Sequence, residues 1–473
     1  MNRVGLWLVP IALLGAATVQ GEEEHPPEPV GTSVVDRDNV TLHEAILPGD
    51  IVDWAVVPMG DEISSLVFLI ERDEDESAHE PAAREVLLWD LQGDGSLESM
   101  GSPLSEEAVT VIGFDPQGDG KGEILVGRGG TVLGIGPGGE WTERFSSPID
   151  LFPIRDTRGS RPYAANELVL RSVGLLQAFR VDPSSGTLGR SWQFELPLRV
   201  DREWGGLRLE TPPLAFLKAS EEQSAQVVLG PEAFGKRRLR TIVLEPDSEG
   251  PPQTLEAWNI LPTAEDIEES WYVEYGGEPA LIVTTVMAEK HGVFEKKKLR
   301  LFSLSADRTR SGSRPLLEVM TRSRNWYGTC AGIADINGDG HDDLISAQPK
   351  GLGAGKLWVE GHIAVPGRGF EPKVRGSEIE VEEGERCTLA VDVTGDNRVD
   401  LVVVEDDSLL VFPLIQETKA KSVVEEDPWW RVRFEDVDGR PHPVDLSGQG
   451  KWQILVTGHT KGKRQAARVL SFR

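Results

Sequence analysis

Apolar residues along this chain fall in short runs, and polar turns rich in Gly, Pro, Asp and Ser separate these runs. The runs CAGIA and LISA, on either side of residues 335–343, have the length of strands rather than of amphipathic helices. No long stretch repeats with a helical period, and 51 glycines and 31 prolines among 473 residues supply frequent turns. The pattern therefore predicts an all-β protein.

A polar loop between two short apolar runs recurs along the chain, which indicates internal repeats. The repeats start near residues 58, 115, 156, 218, 274, 335, 392 and 445, so that 41 to 62 residues separate successive starts. This period is typical of the four-stranded blades of a β-propeller. The spacing predicts eight blades, or seven if the irregular unit near Asp156 or Glu274 is not a full blade.

The two ends of the chain determine how such a ring closes. The last unit has only three strand-like segments, near residues 441–446, 452–457 and 466–473. The segment Ser33–Leu47 precedes the first blade and also has strand-like stretches. We predict that this segment supplies the fourth strand of the last blade and ties the two ends together. Residues 33–473 then form one β-propeller domain.

The first 32 residues are predicted to lie outside this domain. Arg3, the apolar run VGLWLVPIALLGAA and the small residues in TVQG are typical of a secretory signal peptide over residues 1–21. The apolar run is too short for a spanning helix, and no second run of that kind follows. Residues 22–32, which include EEEHPPEP, are acidic and proline-rich and predict a linker. We expect an exported protein that is secreted, periplasmic or at the cell surface, without membrane insertion.

Three of the repeated loops carry carboxylates at alternate positions, a pattern that suits a hard cation such as calcium. Calcium takes roughly six to eight oxygen ligands, and alternate residues of a tight loop can turn toward one centre. A metal-free turn made of Asp, Asn and Gly would have a similar composition. The candidate ligands are Asp335, Asn337, Asp339, His341 through its backbone carbonyl, and Asp343; Asp392, Thr394, Asp396, Arg398 and Asp400; and Asp115, Gln117, Asp119, Lys121 and Glu123.

In these loops the glycines serve the backbone turn, whereas the carboxylates serve the ion. Asn397 stands where the first of the two best loops has Gly340, and Asn best replaces Gly at a positive φ. A fourth loop, VDLSGQGKWQILVTG, keeps Gly448 and Gly450 but has Gln453 where the other loops have an acid. We therefore predict that this loop near residue 445 keeps the fold and binds no metal.

The repeat pattern and the acidic loops at residues 335–343 and 392–400 resemble those of the FG-GAP and VCBS repeat proteins, whose best-known members are the integrin α-subunit propellers. The resemblance implies that these loops bind calcium. It also implies that each metal loop joins the first, innermost strand of a blade to the second. The face opposite the calcium loops would then be the face that binds a ligand.

The two cysteines, Cys330 and Cys387, each lie five residues before the first aspartate of an acidic loop. They hold equivalent positions on the inner strands of neighbouring blades. Export favours a disulfide, but a bridge needs Cα atoms within about 7 Å, and neighbouring inner strands are often farther apart. Both states remain open, and buried free thiols are the favoured interpretation.

The formal net charge of −29 argues against binding to nucleic acid or to anionic membranes. The sequence has no GxSxG, HExxH or CxxC motif and no phosphate-binding glycine loop. We expect a non-catalytic calcium-binding β-propeller that presents loops to a glycan or protein partner. The alternative is a secreted polysaccharide-degrading enzyme, because some calcium-dependent polysaccharide lyases resemble this architecture with eight blades.

Two basic segments, AFGKRRLR at 233–240 and VFEKKKLR at 293–300, match in register 60 residues apart. Both follow the second strand of a blade, so we expect them to lie side by side on the face opposite the acidic loops. Lysines that guard strand ends and stay solvated are the alternative. An anionic partner is predicted to bind at Phe234, Lys236, Arg237, Arg238, Phe294, Lys296, Lys297 and Lys298.

Overall fold

The structure is a computed structural model that describes residues 31–37, 40–60, 63–72, 83–91, 95–115, 121–136, 139–146, 152–153, 167–172, 175–181, 188–195, 198–200, 207–209, 213–217, 225–229, 238–244, 253–259, 265–287, 296–303, 315–320, 330–349, 355–372, 375–381, 386–405, 407–417, 420–434, 441–446, 452–460 and 464–472. Within these ranges every regular element is a β-strand, which confirms the all-β prediction. None of the described residues forms a helix long and apolar enough to span a membrane. The predicted signal peptide and the first nine residues of the predicted linker lie outside the described residues.

The described strands are numbered in chain order. The first half of the chain contains β1 Gly31–Arg37, β2 Val40–Ile46, β3 Gly49–Gly60, β4 Ile63–Arg72, β5 Arg84–Trp89, β6 Leu97–Leu104, β7 Ala108–Phe114, β8 Glu123–Arg128, β9 Thr131–Ile135, β10 Trp141–Ser146, β11 Phe152–Pro153, β12 Glu167–Ser172, β13 Leu175–Val181, β14 Leu188–Glu195, β15 Leu198–Val200, β16 Leu207–Leu209, β17 Pro213–Leu217 and β18 Ala225–Leu229. The second half contains β19 Arg238–Leu244, β20 Gln253–Asn259, β21 Glu265–Tyr275, β22 Glu278–Met287, β23 Lys296–Ser303, β24 Leu317–Met320, β25 Cys330–Ala334, β26 Asp343–Pro349, β27 Lys356–His362, β28 Ala364–Val365, β29 Gly369–Phe370, β30 Arg375–Glu380, β31 Arg386–Val391, β32 Asp400–Val404, β33 Ser408–Phe412, β34 Trp430–Arg433, β35 His442–Val444, β36 Gln453–His459 and β37 Gln465–Phe472.

These strands assemble into antiparallel sheets whose members follow one another in sequence. The four-stranded sheets in the described part of the chain are β3–β6, β7–β10, β11–β14, β17–β20, β21–β24, β25–β26–β27–β30 and β31–β34. Two small ribbons accompany them: β15–β16 lies between two sheets in sequence, and β28–β29 lies between β27 and β30 of one sheet. The irregular repeats near residues 156 and 274 thus each correspond to a four-stranded sheet.

The C-terminal sheet combines strands from both ends of the described chain. Its strand order is β1–β2–β37–β36–β35, and β2 pairs with β37 over its whole length. The segment Ser33–Leu47 therefore joins the C-terminal strands, but it contributes two strands rather than the single strand predicted. Strand β1 begins at Gly31, two residues inside the predicted linker.

Several sheets bury both of their faces, because successive side chains of a strand point to opposite faces. All five residues of β32 are buried. Leu401 and Val403 belong to a hydrophobic cluster shared with the β25–β26–β27–β30 sheet, whereas Val402 and Val404 belong to a cluster shared with the C-terminal sheet. The β31–β34 sheet is therefore packed between two neighbours.

The same kind of packing joins the C-terminal sheet to the first four-stranded sheet. Val444, Leu446 and Ala467 share one hydrophobic cluster with residues of β3, β4 and β5. The backbone N–H of Ser64 also donates a hydrogen bond of 2.8 Å to the carbonyl oxygen of Leu446. Elsewhere the first strands of successive sheets contact each other, as β3 does with β7 and β25 with β31.

Candidate metal centre

The first fully described acidic loop, residues 335–343, joins β25 to β26, the first and second strands of their sheet. The carboxylate of Asp335 organises this loop by accepting four hydrogen bonds of 2.7 to 3.2 Å from backbone N–H groups, those of Asn337, Gly338, Asp339 and Gly340. Partial burial opposes ionisation of Asp335, but the four donors hold the pKa of its carboxyl group below the usual range. The carboxylate of Asp335 is therefore ionised, and its oxygens can serve as metal ligands.

The second acidic loop, residues 392–400, joins β31 to β32 and repeats this arrangement. The carboxylate of Asp392 accepts hydrogen bonds of 2.6 to 3.3 Å from the backbone N–H groups of Gly395, Asp396 and Asn397. Asn397 has a φ of 64°, and the equivalent Gly340 has a φ of 81°. The prediction that Asn397 replaces a glycine at a positive φ is thus confirmed.

The ninth residue of each loop, Asp343 or Asp400, closes the loop from the inside and has no exposed surface. Each accepts two backbone hydrogen bonds: Asp343 from Ile336 at 3.1 Å and Ala364 at 2.7 Å, and Asp400 from Val393 and Thr394, both at 2.9 Å. Sequence reasoning assigned these aspartates only to the metal. The structure gives them a second role: each accepts a hydrogen bond from the backbone N–H of the second residue of its loop, Ile336 or Val393.

Burial raises the pKa of Asp343 to about 6 and that of Asp400 to about 7, and the charges of the other loop aspartates add to the rise. The backbone hydrogen bonds to both carboxylates oppose this shift but do not outweigh burial. A divalent cation among the loop oxygens would favour the charged form of both groups and lower both pKa values.

The loop near residue 445, which joins β35 to β36, shows that the structural task needs no charge. Gln453 is the ninth residue counted from Asp445, and its Oε1 accepts a hydrogen bond of 3.0 Å from the backbone N–H of Leu446. Ile336 donates the equivalent bond to Asp343. In the sequence, this role was visible only as a polar, uncharged residue at position 453, where the other loops have an acid.

The ligand atoms predicted in the acidic loops are side-chain oxygens and, at His341, a backbone carbonyl oxygen, and oxygen is the ligand type that calcium prefers. Within the described ranges no group of three or more His, Cys, Asp or Glu side chains is arranged to hold a metal ion. The loop carboxylates accept backbone hydrogen bonds instead. Because an ionised carboxylate has about four lone-pair positions, these bonds leave it further acceptor capacity. By their chemistry, the residues at 335–343 and 392–400 fit calcium.

The seventh residue distinguishes the two loops. The backbone N–H of His341 donates a hydrogen bond of 2.9 Å to Asp339, and His341 is exposed. In the second loop the guanidinium group of Arg398 forms an ion pair with the carboxylate of Asp396 and donates a hydrogen bond of 2.8 Å to the carbonyl oxygen of Leu414. One predicted calcium ligand of the second loop therefore already has a cationic partner.

The third acidic loop, residues 115–123, is described only at its ends. Gln117 and Asp119 lie outside the described residues. Glu123, the ninth residue, forms an ion pair of 3.4 Å with Arg144, and its side chain is 42% exposed. This exposure contrasts with the full burial of the ninth residue in the other two acidic loops. A calcium site here stays a prediction.

A disulfide joins Cys330 to Cys387, whose Cα atoms are 5.8 Å apart. It links β25 to β31, the first strands of the two sheets that carry the acidic loops. These strands approach closely, since a Cβ atom on Gly332 would lie 2.0 Å from the carbonyl oxygen of Leu389. The favoured interpretation of buried free thiols is wrong, because the glycine lets the strands come within bridging distance.

The two basic segments lie in and around the connections from β18 to β19 and from β22 to β23, the second and third strands of consecutive sheets. In an antiparallel sheet these connections leave the end opposite the first loop. Lys298 forms an ion pair of 3.2 Å with Glu318, and its side chain is only 21% exposed. Phe234, Lys236, Arg237 and Phe294 lie outside the described residues, as do the side chains of Arg238, Lys296 and Lys297.

The sequence matches no protein-family model and no curated protein. Similar solved structures include a protein from Lactobacillus plantarum, with 11% sequence identity and a TM-score of 0.37 over 75% of this chain and 96% of that chain. They also include a putative 6-phosphogluconolactonase from Bacteroides fragilis, with 10% identity and a TM-score of 0.36 over 86% of this chain and 94% of that chain. Neither similarity is strong enough to indicate a function.

Proposed function

We propose that the protein is an exported, non-catalytic β-propeller of eight blades that binds calcium in the loops at 335–343 and 392–400 and presents other loops to a glycan or protein partner. Three observations support the ring: seven four-stranded sheets follow one another in sequence, first strands of successive sheets contact each other, and the C-terminal sheet packs against the first. The pairing of β2 with β37 would close the ring.

The observation that carries calcium binding is the contrast between Asp400 and Gln453. Both are buried ninth residues that accept a backbone hydrogen bond at the start of their loops. A neutral amide does this without the free-energy cost of burying a charge. A buried carboxylate in the loops that also carry two further aspartates is best explained by a cation that offsets its charge.

Replacing Asp400 by Asn should abolish calcium binding at the second loop without weakening the calcium-free protein. An asparagine Oδ1 can accept both backbone bonds that Asp400 accepts, and its amide can donate to the hydroxyl of Thr394, which lies 3.4 Å from the second oxygen of Asp400. At pH 8, in chelator, the melting temperature should match or exceed that of the wild type. Calorimetric titration should show one calcium ion fewer per molecule.

Gln453→Glu is the matched control for this substitution. It places a buried charge in a loop whose only other acid is Asp445, so it should lower the melting temperature, and calcium should not restore it. For the wild type, calcium at about 100 times the dissociation constant should add about 2.7 kcal/mol per site to the free energy of unfolding. A wild-type melting curve that calcium and chelator leave unchanged would contradict the proposal.

Replacing Arg398 by His, the residue at the equivalent position of the first loop, should tighten calcium binding at the second loop. The substitution frees the carboxylate of Asp396 from its ion pair and removes a positive charge from the site. We expect affinity to rise about tenfold, roughly 1.4 kcal/mol, in calorimetric titrations. Arg398→Lys keeps the charge and serves as the control. Equal or weaker calcium binding by Arg398→His would show that the ion pair does not compete with the metal.

The partner proposal is an anionic glycan or protein segment bound at the two basic segments, on the face opposite the acidic loops. The ion pair with Glu318 makes Lys298 less available to a partner than an exposed, unpaired lysine would be. The disulfide between Cys330 and Cys387 supports export, because such bonds persist in oxidising compartments.

A further inference from the structure

A hairpin from the sheet that carries the second acidic loop contacts the first acidic loop, which lies in the preceding sheet. Residues 414–417 and 420–424 follow β33 and run antiparallel to each other, with Leu414 bridged to Val424; residues 418 and 419 lie outside the described residues. The backbone N–H of Ile415 donates a hydrogen bond of 2.8 Å to the carbonyl oxygen of Val423. We call this segment the crossing hairpin. It belongs in sequence to the sheet that carries the second acidic loop.

Three residues of the neighbouring strand β30 fix the crossing hairpin in place. The guanidinium group of Arg375 donates a hydrogen bond of 2.7 Å to the carbonyl oxygen of Glu417. The hydroxyl of Ser377 accepts one of 2.7 Å from the backbone N–H of Val423, and the N–H of Gly376 donates one of 3.2 Å to Lys421. The hydrogen bonds to β30 therefore order the hairpin backbone, and none of them goes to a residue of the first acidic loop.

The fixed hairpin places the side chain of Gln416 at the first acidic loop. Its Nε2 lies 3.4 Å from Oδ2 of Asp335. A Cβ atom added to Gly338 would lie 3.7 Å from Cγ of Gln416, so the side chain also lies close to Gly338. Arg375 also donates a hydrogen bond of 3.4 Å to the carbonyl oxygen of Ile336 in the same loop. An amide side chain from another sheet thus meets the first aspartate of the loop.

We propose that Gln416 is a ligand of the calcium ion held by residues 335–343. This inference rests on the proposed function. The nitrogen and oxygen of a glutamine amide exchange places by a half-turn of the side chain, so the group that meets Asp335 can present a carbonyl oxygen. The loop supplies five candidate ligand residues, whereas calcium takes six to eight oxygen atoms, and an amide carbonyl is one of the ligands it accepts. The first site would then be completed by the neighbouring sheet.

The test counts the water molecules bound to a europium ion, which substitutes for calcium, by comparing luminescence lifetimes in H₂O and D₂O. The Asp400→Asn background confines the ion to the first acidic loop and, where it binds, the third. Gln416→Ala should add about one bound water at the first loop, because water takes the vacated ligand position. Calcium affinity of the same site should fall about tenfold in calorimetric titration.

Glu417→Gln is the matched control, because it removes a charge from the same hairpin and leaves the backbone contact of residue 417 intact. It should change neither the water count nor the number of ions bound. Gln416 and Glu417 are both exposed, so both variants should fold, which a melting curve verifies. An unchanged water count and affinity in Gln416→Ala would overturn the inference while calcium binding stands. Absence of any ion at the first loop in the Asp400→Asn background would overturn both.

Discussion

Deleting residues 31–48 should unfold the protein, because these residues are part of the C-terminal sheet and not a separate amino-terminal extension. Strand β2 lies between β1 and β37, and Ala45 and Leu47 are fully buried in the core shared with the first four-stranded sheet. Glu44 also pairs, at 2.6 Å, with Arg468, whose side chain is 1% exposed. Loss of Glu44 alone leaves a buried charge without its partner, at a cost of about 3 to 5 kcal/mol.

The lost packing adds to that cost, so the total should exceed about 5 kcal/mol and approach the whole stability of a typical domain. Far-ultraviolet circular dichroism and thermal melting measure the effect. Deletion of residues 31–37 alone is the control: it removes only the outer strand β1, leaves β2 paired with β37, and should lower the melting temperature by much less. A 31–48 deletion that melts like the full chain would mean that the C-terminal sheet is stable without β2.

Replacing Cys330 and Cys387 together by Ala should lower the free energy of unfolding by about 4 kcal/mol, because the bridge closes a loop of 57 residues and restricts the unfolded chain. Alanine is the appropriate substitute, since both sulfur atoms are in the core and serine would bury a hydroxyl group. Denaturant unfolding of the double variant against the oxidised wild type measures the difference.

The single variant Cys330→Ala controls for packing at one end of the bridge. It should lose nearly as much stability as the double variant, because either change breaks the same bond. Thiol titration of the denatured, unreduced wild type provides an independent check. Two free thiols in that experiment would contradict the disulfide and restore the interpretation of buried cysteines.

The features that followed from sequence are those set by neighbouring residues. Short apolar runs with frequent turn residues indicated strands, and the spacing of the polar loops located the repeats. The positive φ of Asn397 followed from its place in the loop, because few residue types tolerate that conformation. Each of these properties depends on a handful of adjacent residues, so a single sequence carries enough information to predict it.

The features that escaped prediction depend on distances between separate sheets. The disulfide depends on how closely β25 approaches β31, which Gly332 permits. Gln416 lies 81 residues from Asp335 and reaches it only because the crossing hairpin is anchored on β30. The ion pair between Arg398 and Asp396 is local, but an arginine two residues after an aspartate can turn in several directions. Sequence patterns do not fix any of these geometries.

Because β2 pairs with β37, one edge of β2 has no partner strand until nearly the whole chain has been synthesised. Glu44 and Arg468 are 424 residues apart, and ribosomes add about 5 to 20 residues per second. Roughly 20 to 85 seconds therefore pass after Glu44 is made before its partner exists. During that interval the edge of β2 that β37 later covers has unpaired N–H and C=O groups, which invite pairing with other chains. We expect recombinant yield to depend on chaperone protection of the nascent amino-terminal strands as much as on the stability of the finished fold.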